Sequence, residues 1–221
     1  MGKQKLIITS FHKSTKRSYL QRMNNNKVVS MNKSKKYGFD YWDGKRKFGY
    51  GGYKYIPGRL TPLAKKIIKT YKLKNNSKIL DVGAGKGYLL YEIKKILPGI
   101  TVKGLDISSY AIKNSKEEIR KNLILKKAEQ KYNFKNKYFD LVISLNCLHN
   151  LKIFNLVKAL KEIERVGKKS YIVVESFKNN SELFNLQCWS LTCQAFFSKE
   201  EWKWIFKNYK FSGDYEFIYF N

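Results

Sequence analysis

From residue 61 onward, short apolar runs alternate with stretches in which apolar residues recur every three or four positions. The first rhythm predicts strands and the second amphipathic helices. Thr61-Pro62 opens a helix to about Leu73, with Thr61 as N-cap, Pro62 at the first position, and Leu63, Ile67, Ile68 and Tyr71 on one face. The stretch Lys78-Ile79-Leu80-Asp81-Val82-Gly83-Ala84-Gly85-Lys86-Gly87-Tyr88 reads as a strand, a glycine turn and the start of a helix over 87–97, which stops at Leu97-Pro98-Gly99. Strand 101–105, helix 109–121, a short strand near 123–127, strand 139–144, helix 151–165 and strand 171–175 continue the alternation. An amphipathic helix over 181–194 follows, with Trp189 read as a core residue. Ser198-Lys199-Glu200-Glu201 then has the form of a capping box for a helix over 199–208. Near the end, Ser212-Gly213-Asp214 lies between two aromatic runs and predicts a hairpin. The fold class expected is therefore α/β, a Rossmann-like three-layer sandwich. Its sheet is mainly parallel and seven-stranded and ends in a C-terminal antiparallel hairpin.

Residues 1–60 lack this order and read as a basic N-terminal extension with a Gly/aromatic lid, ahead of one domain over 61–221. Lys13 to Met23 has sparse helical periodicity, and the first residues are where disorder would concentrate. Around residues 37–60, glycine, aromatic and charged residues mix without period, as in Asp40-Tyr41-Trp42-Asp43-Gly44 and Tyr50-Gly51-Gly52-Tyr53, which predicts a structured loop. Such a loop is either tight packing or a lid whose backbone N–H groups, with Arg46 and Arg59, receive an anion.

The glycine turn carries the first chemical signal. Glycines at 83, 85 and 87 let the backbone take positive φ and leave no Cβ to fend off a ligand. The helix behind them turns the positive end of its dipole toward the same place. Asp106 ends the next strand, 21 residues after Gly85, where a carboxylate can accept from ribose hydroxyls or cap a helix. In a parallel sheet, ligands sit beyond the carboxyl ends of the strands. That rim carries the glycine turn, Asp106, residues 128–130 and residues 145–149.

Composition narrows the classes. The 221 residues suffice for one domain with an extension, and no run of 18 apolar residues predicts a membrane span. The N-terminus is too polar for a signal peptide, and Leu6 rules out a myristoylation signal at Gly2. Cys147, Cys188 and Cys193 form no CxxC pair, so neither disulfides nor a metal site is expected, and a reducing cytoplasm is the default location. The formal charge of +28 is either a solvated lysine coat or an attraction to polyanions and phosphate-bearing molecules. Because acids are scarce, each one is informative: three of the six aspartates, Asp81, Asp106 and Asp140, fall in the strand motifs.

The motifs at 79–90, 102–108, Lys127-Ala128-Glu129 and Phe139-Asp140-Leu141-Val142-Ile143-Ser144-Leu145-Asn146-Cys147-Leu148-His149-Asn150-Leu151 resemble motifs I to IV of the class I S-adenosylmethionine (SAM) methyltransferases, especially the small-molecule "type 11" branch. The resemblance covers about residue 61 to the C-terminus. It implies S-adenosyl-L-methionine as cofactor, with Gly83, Gly85 and Gly87 wrapping its methionine end, Asp81 ordering the turn and Asp106 holding the ribose. It further implies adenine contacts near Ala128 and Glu129, with Ala84, Ile107 and Leu145 as further cofactor residues. The family commonly has Asp where this chain has Lys127, which makes Glu129 the substitute. His12-Lys13, the two aromatic loop motifs and Asn185-Leu186-Gln187-Cys188-Trp189 are also similar to methyltransferases of bacterial surface-polysaccharide clusters, some of which accompany the O-methyl phosphoramidate capsule modification. That likeness implies a phosphate-rich nucleotide or sugar acceptor.

Transfer to a hydroxyl needs a base, whereas an ionised phosphoryl oxygen needs none. His149, after the fourth strand, and Glu175, at the end of the fifth, are the candidates; the alternatives are a histidine tied to backbone and a structural carboxylate. Tyr50, Tyr53, Arg59 and Asn146 are candidate substrate residues. The prolines are Pro57, Pro62 and Pro98, so the Pro-Pro of amino-methylating nucleic-acid enzymes is absent, and neither Cys147 nor Cys193 has the setting of a cytosine-attacking nucleophile. The expected function is O-methylation of a small anionic acceptor. The alternatives are an RNA methyltransferase and a non-catalytic SAM-binding subunit, with a homodimer or a heterodimer with a related methyltransferase as the assemblies considered.

Overall fold

A computed structural model describes residues 1–9 and 17–221. The His12-Lys13 motif lies outside the described residues, as does most of the basic half of the helix expected over 13–23; a short helix, α1, runs Tyr19–Asn24. Then come α2 (Lys27–Ser34), α3 (Phe39–Trp42), α4 (Thr61–Tyr71), β1 (Lys78–Val82), α5 (Tyr88–Ile96), β2 (Thr101–Asp106), α6 (Ser109–Lys113), α7 (Glu117–Arg120) and β3 (Leu123–Leu125). The second half holds β4 (Leu141–Leu145), α8 (Ile153–Val166), β5 (Ser170–Glu175), α9 (Asn180–Trp189), α10 (Lys199–Asn208) and β6 (Asp214–Ile218).

The sheet order is β3-β2-β1-β4-β5-β6, and every neighbouring pair is parallel. Its central strands are buried on both faces, as a parallel sheet requires. One face packs under Leu63 and Ile67 of α4 and Leu90 and Ile93 of α5. The other packs under Leu156, Leu160 and Ile163 of α8 and Trp202 and Phe206 of α10. The order reverses between β1 and β4, which opens a crevice at their carboxyl ends.

Two sequence expectations fail at the sheet edge. The described residues form six strands rather than seven, and the expected C-terminal hairpin is a single strand, β6, parallel to β5. The first aromatic run turns inward: Phe211 packs on Phe206 at 5.4 Å, and Lys210 adopts φ of +55°. Gly213 then brings the backbone against Ser170, where a Cβ would not fit. The outer edge of β6 is covered by the N-terminus, not left disordered. Lys5 N–H donates to Tyr215 O at 2.8 Å, Tyr215 N–H to Lys3 O at 3.2 Å, and Gln4 bridges Tyr215 in parallel.

Smaller differences have local causes. Thr61 is the first helical residue rather than the N-cap; its hydroxyl donates to Glu92. The helix expected over 109–121 breaks at Ser115, whose hydroxyl bonds Ile112 O while Arg120 bonds its carbonyl. α9 stops at Trp189, because Ser190 is extended and leads Gln194 and Ala195 to donate to His149 O. The capping box at Ser198 and Glu201 forms as expected.

The N-terminal arm is anchored by Glu216, a fully buried carboxylate on β6. It accepts from the N–H groups of Ile7 (2.5 Å), Ile8 (3.0 Å) and Thr9 (2.7 Å), from the Thr9 hydroxyl, and from Tyr171 OH at 2.6 Å. Glu216→Ala strands these donors in a dry site, and we expect a loss of about 2–4 kcal/mol in urea unfolding, with Glu216→Gln losing less. Equal stability of Glu216→Ala and wild type would show that the arm is held by other means.

Candidate active site

The turn after β1 is built on three left-handed glycines, Gly83 (φ +86°), Gly85 (+57°) and Gly87 (+68°). A Cβ on Gly83 would collide with Cys147, and one on Gly85 would come 2.7 Å from the Trp42 ring. Gly83 and Ala84 N–H both donate to Leu105 O, at 2.8 and 3.0 Å, which ties the turn to β2. Asp106 is buried, and its oxygens accept from Gly85 N–H at 2.6 Å and Ser108 N–H at 2.7 Å. Burial raises its pKa against the pull of those donors. Asp81 lies inside the same turn with Oδ1 lacking a donor. Burial, with the Asp106 charge added, pushes Asp81 up to about 8.

The 37–60 segment folds onto this turn. Trp42 stacks on Tyr50 (5.3 Å, 8°) and donates from Nε1 to Ser108 Oγ at 2.9 Å and Tyr37 O at 3.1 Å. Ser108 in turn caps α6 through Ala111 N–H. Lys86, buried inside the glycine motif, gives its ammonium to both oxygens of Asp43 (2.7 and 2.9 Å) and to Tyr53 O (2.8 Å). Tyr110 OH and Tyr53 N–H complete the shell of Asp43. Desolvation pushes Asp43 up, but Lys86, Tyr110 and Tyr53 outweigh it and hold the carboxyl below its usual range. Trp42, Asp43 and Lys86 were not picked out as site residues from sequence. The signal available was a pair of rare aspartates among aromatics and a lysine between motif glycines.

Two cavities result. One of about 220 Å³ is lined by Gly83, Asp106, Ile107, Ala128, Glu129 and Leu145, with Tyr37, Trp42 and Cys147 across from them. One of about 430 Å³ is lined by Arg17, Arg22, Arg46, Arg59, Tyr53, His149, Glu175 and Trp189. Tyr41, Tyr50, Asn146 and Asn150 border both. Of the residues singled out from sequence, Asp81, Ala84, Gly85 and Gly87 line neither cavity; they form the turn behind the smaller one. Tyr50, Tyr53, Arg59 and Asn146 all reach the larger one. Asn146 takes φ of +56°, a conformation that Asn tolerates and that recurs at functional sites. Arg17 and Arg22 escaped sequence reasoning because their helical period is weak. Trp189, read as core, packs on the core and also lines the larger cavity.

His149 and Glu175 meet at that cavity. His149 is 3% exposed, and its Nδ1 accepts from Glu175 N–H at 3.2 Å. The proton of the neutral ring therefore belongs on Nε2, which lies 3.4 Å from Glu175 Oε2. That contact is out of line for a hydrogen bond, so Oε2 is a buried acceptor without a donor. Desolvation lowers His149 to about 3 and raises Glu175 to about 7, the latter against the opposing charges of Arg17 and Lys27. Tyr41 and Tyr50 are raised by burial and are neutral. Cys147, against Gly83, is pushed up to about 12 by burial and by Asp106 and Asp81, and is no nucleophile.

A methyltransferase domain model matches residues 73–210. The ribosomal RNA small subunit methyltransferase C of Buchnera aphidicola is 37% identical over 108 residues, 48% of this chain and 30% of that protein. The mitochondrial arginine-hydroxylase NDUFAF5 of Mus musculus is 31% identical over 109 residues, 49% of this chain and 31% of its own length. The match thus spans about a third of these curated relatives. Among solved structures, the YcgJ protein of Bacillus subtilis shares the fold with a TM-score of 0.53 at 20% identity, covering 66% of each chain. With the domain match extending over most of the chain, the protein belongs to the class I methyltransferase family, and its cofactor is S-adenosyl-L-methionine.

Proposed function

We propose that the protein transfers a methyl group from SAM, bound along the smaller cavity, to an oxygen of a small phosphate-bearing acceptor in the larger one. The observation that carries this reading is the pair of adjoining cavities, the second lined by four of the chain's six arginines. The smaller cavity suits the cofactor. Asp106 has lone pairs to spare for ribose hydroxyls, and Ile107, 48% exposed, and Leu145 offer apolar faces to a flat base. Gly83 lines this cavity without a side chain, and behind the turn Asp81 Oδ1 lacks a donor. These residues would hold the cofactor, which supplies an electrophilic methyl for in-line displacement.

The chain's own residues have three tasks. Tyr41, Tyr50, Asn146 and Asn150 frame the opening between the cavities and limit the angle of approach. The stacked rings of Trp42 and Tyr50 cover its smaller-cavity side. Glu175, raised to about 7 by burial and lining the larger cavity, takes the proton of an acceptor hydroxyl on its carboxylate. His149 is a positioning residue: neutral and tied to the Glu175 backbone, it keeps that carboxylate turned to the cavity. A nucleotide- or sugar-linked acceptor fits this class, a capsule phosphoramidate precursor being one example. The charge of +28 favours RNA as a second reading.

Calorimetry with S-adenosylhomocysteine and a methyl-transfer screen of phosphorylated hydroxy compounds against RNA test the proposal. Asp106→Ala should weaken S-adenosylhomocysteine by about tenfold or more. Absence of binding to wild type would sink the reading, and turnover on RNA alone would favour the second. The transfer rate should rise with pH through about 7, as Glu175 loses its proton. Glu175→Gln should slow it about a hundredfold; unimpaired turnover would mean an acceptor oxygen that is already ionised.

Asp81 gives a stability test with a definite sign. Its ordinary value of 3.8 rises to about 8 on folding, so between the two the native chain holds a proton that the unfolded chain has released. Stability from this group is present at low pH and lost as pH rises through that window. Asp81→Asn should therefore melt above the cofactor-free wild type, increasingly so toward the alkaline end, by an equivalent of about 1–3 kcal/mol. A constant offset across pH would refute the assignment.

A further inference from the structure

One corner of the larger cavity gathers positive charge around Trp189, with Arg22 and Arg46 in no ion pair among the described residues. Arg22, Arg46 and Arg17 stand with their guanidinium carbons 4.5, 5.3 and 5.4 Å from the ring centroid of Trp189. An indole attracts guanidinium groups through its quadrupole and leaves their N–H donors available. The engaged donors of Arg22 and Arg46 go to carbonyls: Arg22 Nε to Trp189 O at 2.8 Å, Arg22 Nη1 to Arg46 O at 3.1 Å, and Arg46 Nη1 to Gly49 O. Lys27 closes the corner from behind, its Nζ on the carbonyls of Cys188 (2.7 Å) and Ser190 (2.5 Å).

Among the described residues no carboxylate pairs with Arg22, Lys27 or Arg46. Carbonyl dipoles do not cancel full charges, so these cations are held against one another. Burial, then the neighbouring Arg46, brings Arg22 down to about 10; burial, then Arg22, brings Lys27 down to about 8. A partly buried cluster of like charge is costly unless something of opposite sign completes it.

We propose that the Arg22–Arg46–Trp189 corner, backed by Lys27, seats a doubly charged terminal phosphate of the acceptor. The inference rests on the larger cavity being the acceptor site. A phosphomonoester offers three terminal oxygens and two charges to several guanidinium forks at once. A phosphodiester or a carboxylate brings one charge and leaves the cluster in excess. The lone pairs of a phosphate so anchored are committed to donors, so the methyl goes to a separate hydroxyl of the same molecule, at Glu175.

The test is titration of the full chain, saturated with S-adenosylhomocysteine, with inorganic phosphate, dimethyl phosphate or acetate at one slightly alkaline pH and equal ionic strength. Phosphate should bind about tenfold or more tightly than either monoanion. Arg46→Gln should cost phosphate about tenfold while S-adenosylhomocysteine affinity holds. Because Arg22 also ties two carbonyls, Arg46→Lys is the second variant: it keeps the charge, loses the fork, and should weaken phosphate without lowering the melting temperature. Equal binding of the three anions, or unchanged phosphate affinity in both Arg46 variants, would overturn the subsite and leave the methyltransferase reading standing. Failure of S-adenosylhomocysteine to bind would overturn both.

Discussion

A lysine buried in the middle of a glycine turn has to be paired, and in this protein the pairing determines where the 37–60 segment lies. Lys86 is on the inner side of the turn, and its ammonium meets Asp43 at 2.7 Å with almost no access to solvent. Removing one member of such a pair strands the other charge at a cost of about 3–5 kcal/mol. Asp43 belongs to a segment with little regular structure of its own, so the ion pair, with Tyr110 and the Tyr53 N–H on the same carboxylate, fixes that segment. Trp42 then falls against Gly85, and Tyr50 stacks on Trp42. Among the residues this segment contributes to the two cavities, Tyr41, Trp42, Tyr50 and Tyr53 lie next to that anchoring.

The two candidate bases show how one environment separates two titrating groups. His149 and Glu175 share the same dry pocket, and burial favours the neutral form of each. For an imidazole that means a pKa far too low for proton uptake near neutrality; for a carboxylic acid it means one close to the working range. A buried histidine beside a strand end suggests a base from its position alone. Here its ring accepts a backbone N–H, and the remaining nitrogen carries the proton. That leaves the carboxylate, with an oxygen lacking a donor, as the base we propose.

The legible parts of the chain were those whose cause is local. β1, the glycine turn and α5 could be read because alternation, positive-φ glycines and amphipathic period all act within a few residues. So could the capping box at Ser198. The terminal hairpin was misread because two aromatic runs around Ser212-Gly213-Asp214 look alike in sequence, yet Phe211 is drawn into the core by Phe206. What fills the vacated edge is Gln4 bridging Tyr215, a pairing across nearly the whole chain that no local pattern announces. The site divides the same way. Asp106, Gly83 and Glu175 sit at strand ends, are legible in sequence, and line the candidate site; Arg17, Arg22 and Lys86 depend on how an irregular segment folds back, which no local pattern shows.

The net charge becomes intelligible once its two carriers are separated. Lysines cover the chain broadly, whereas the arginines are few: Arg165 is tied to Glu162 and Arg120 to Ser115 O, and the other four converge on one cavity. Lysine is a flexible point charge suited to a solvated surface; arginine is a planar fork that stacks on aromatics and grips oxyanions with paired bonds. A purely compositional excess of positive charge would give no reason for the scarcer residue to collect around Trp189. Its concentration there, with Glu175 the one carboxylate lining the cavity among the described residues, is what the proposed anion recognition rests on, with the lysine coat as background.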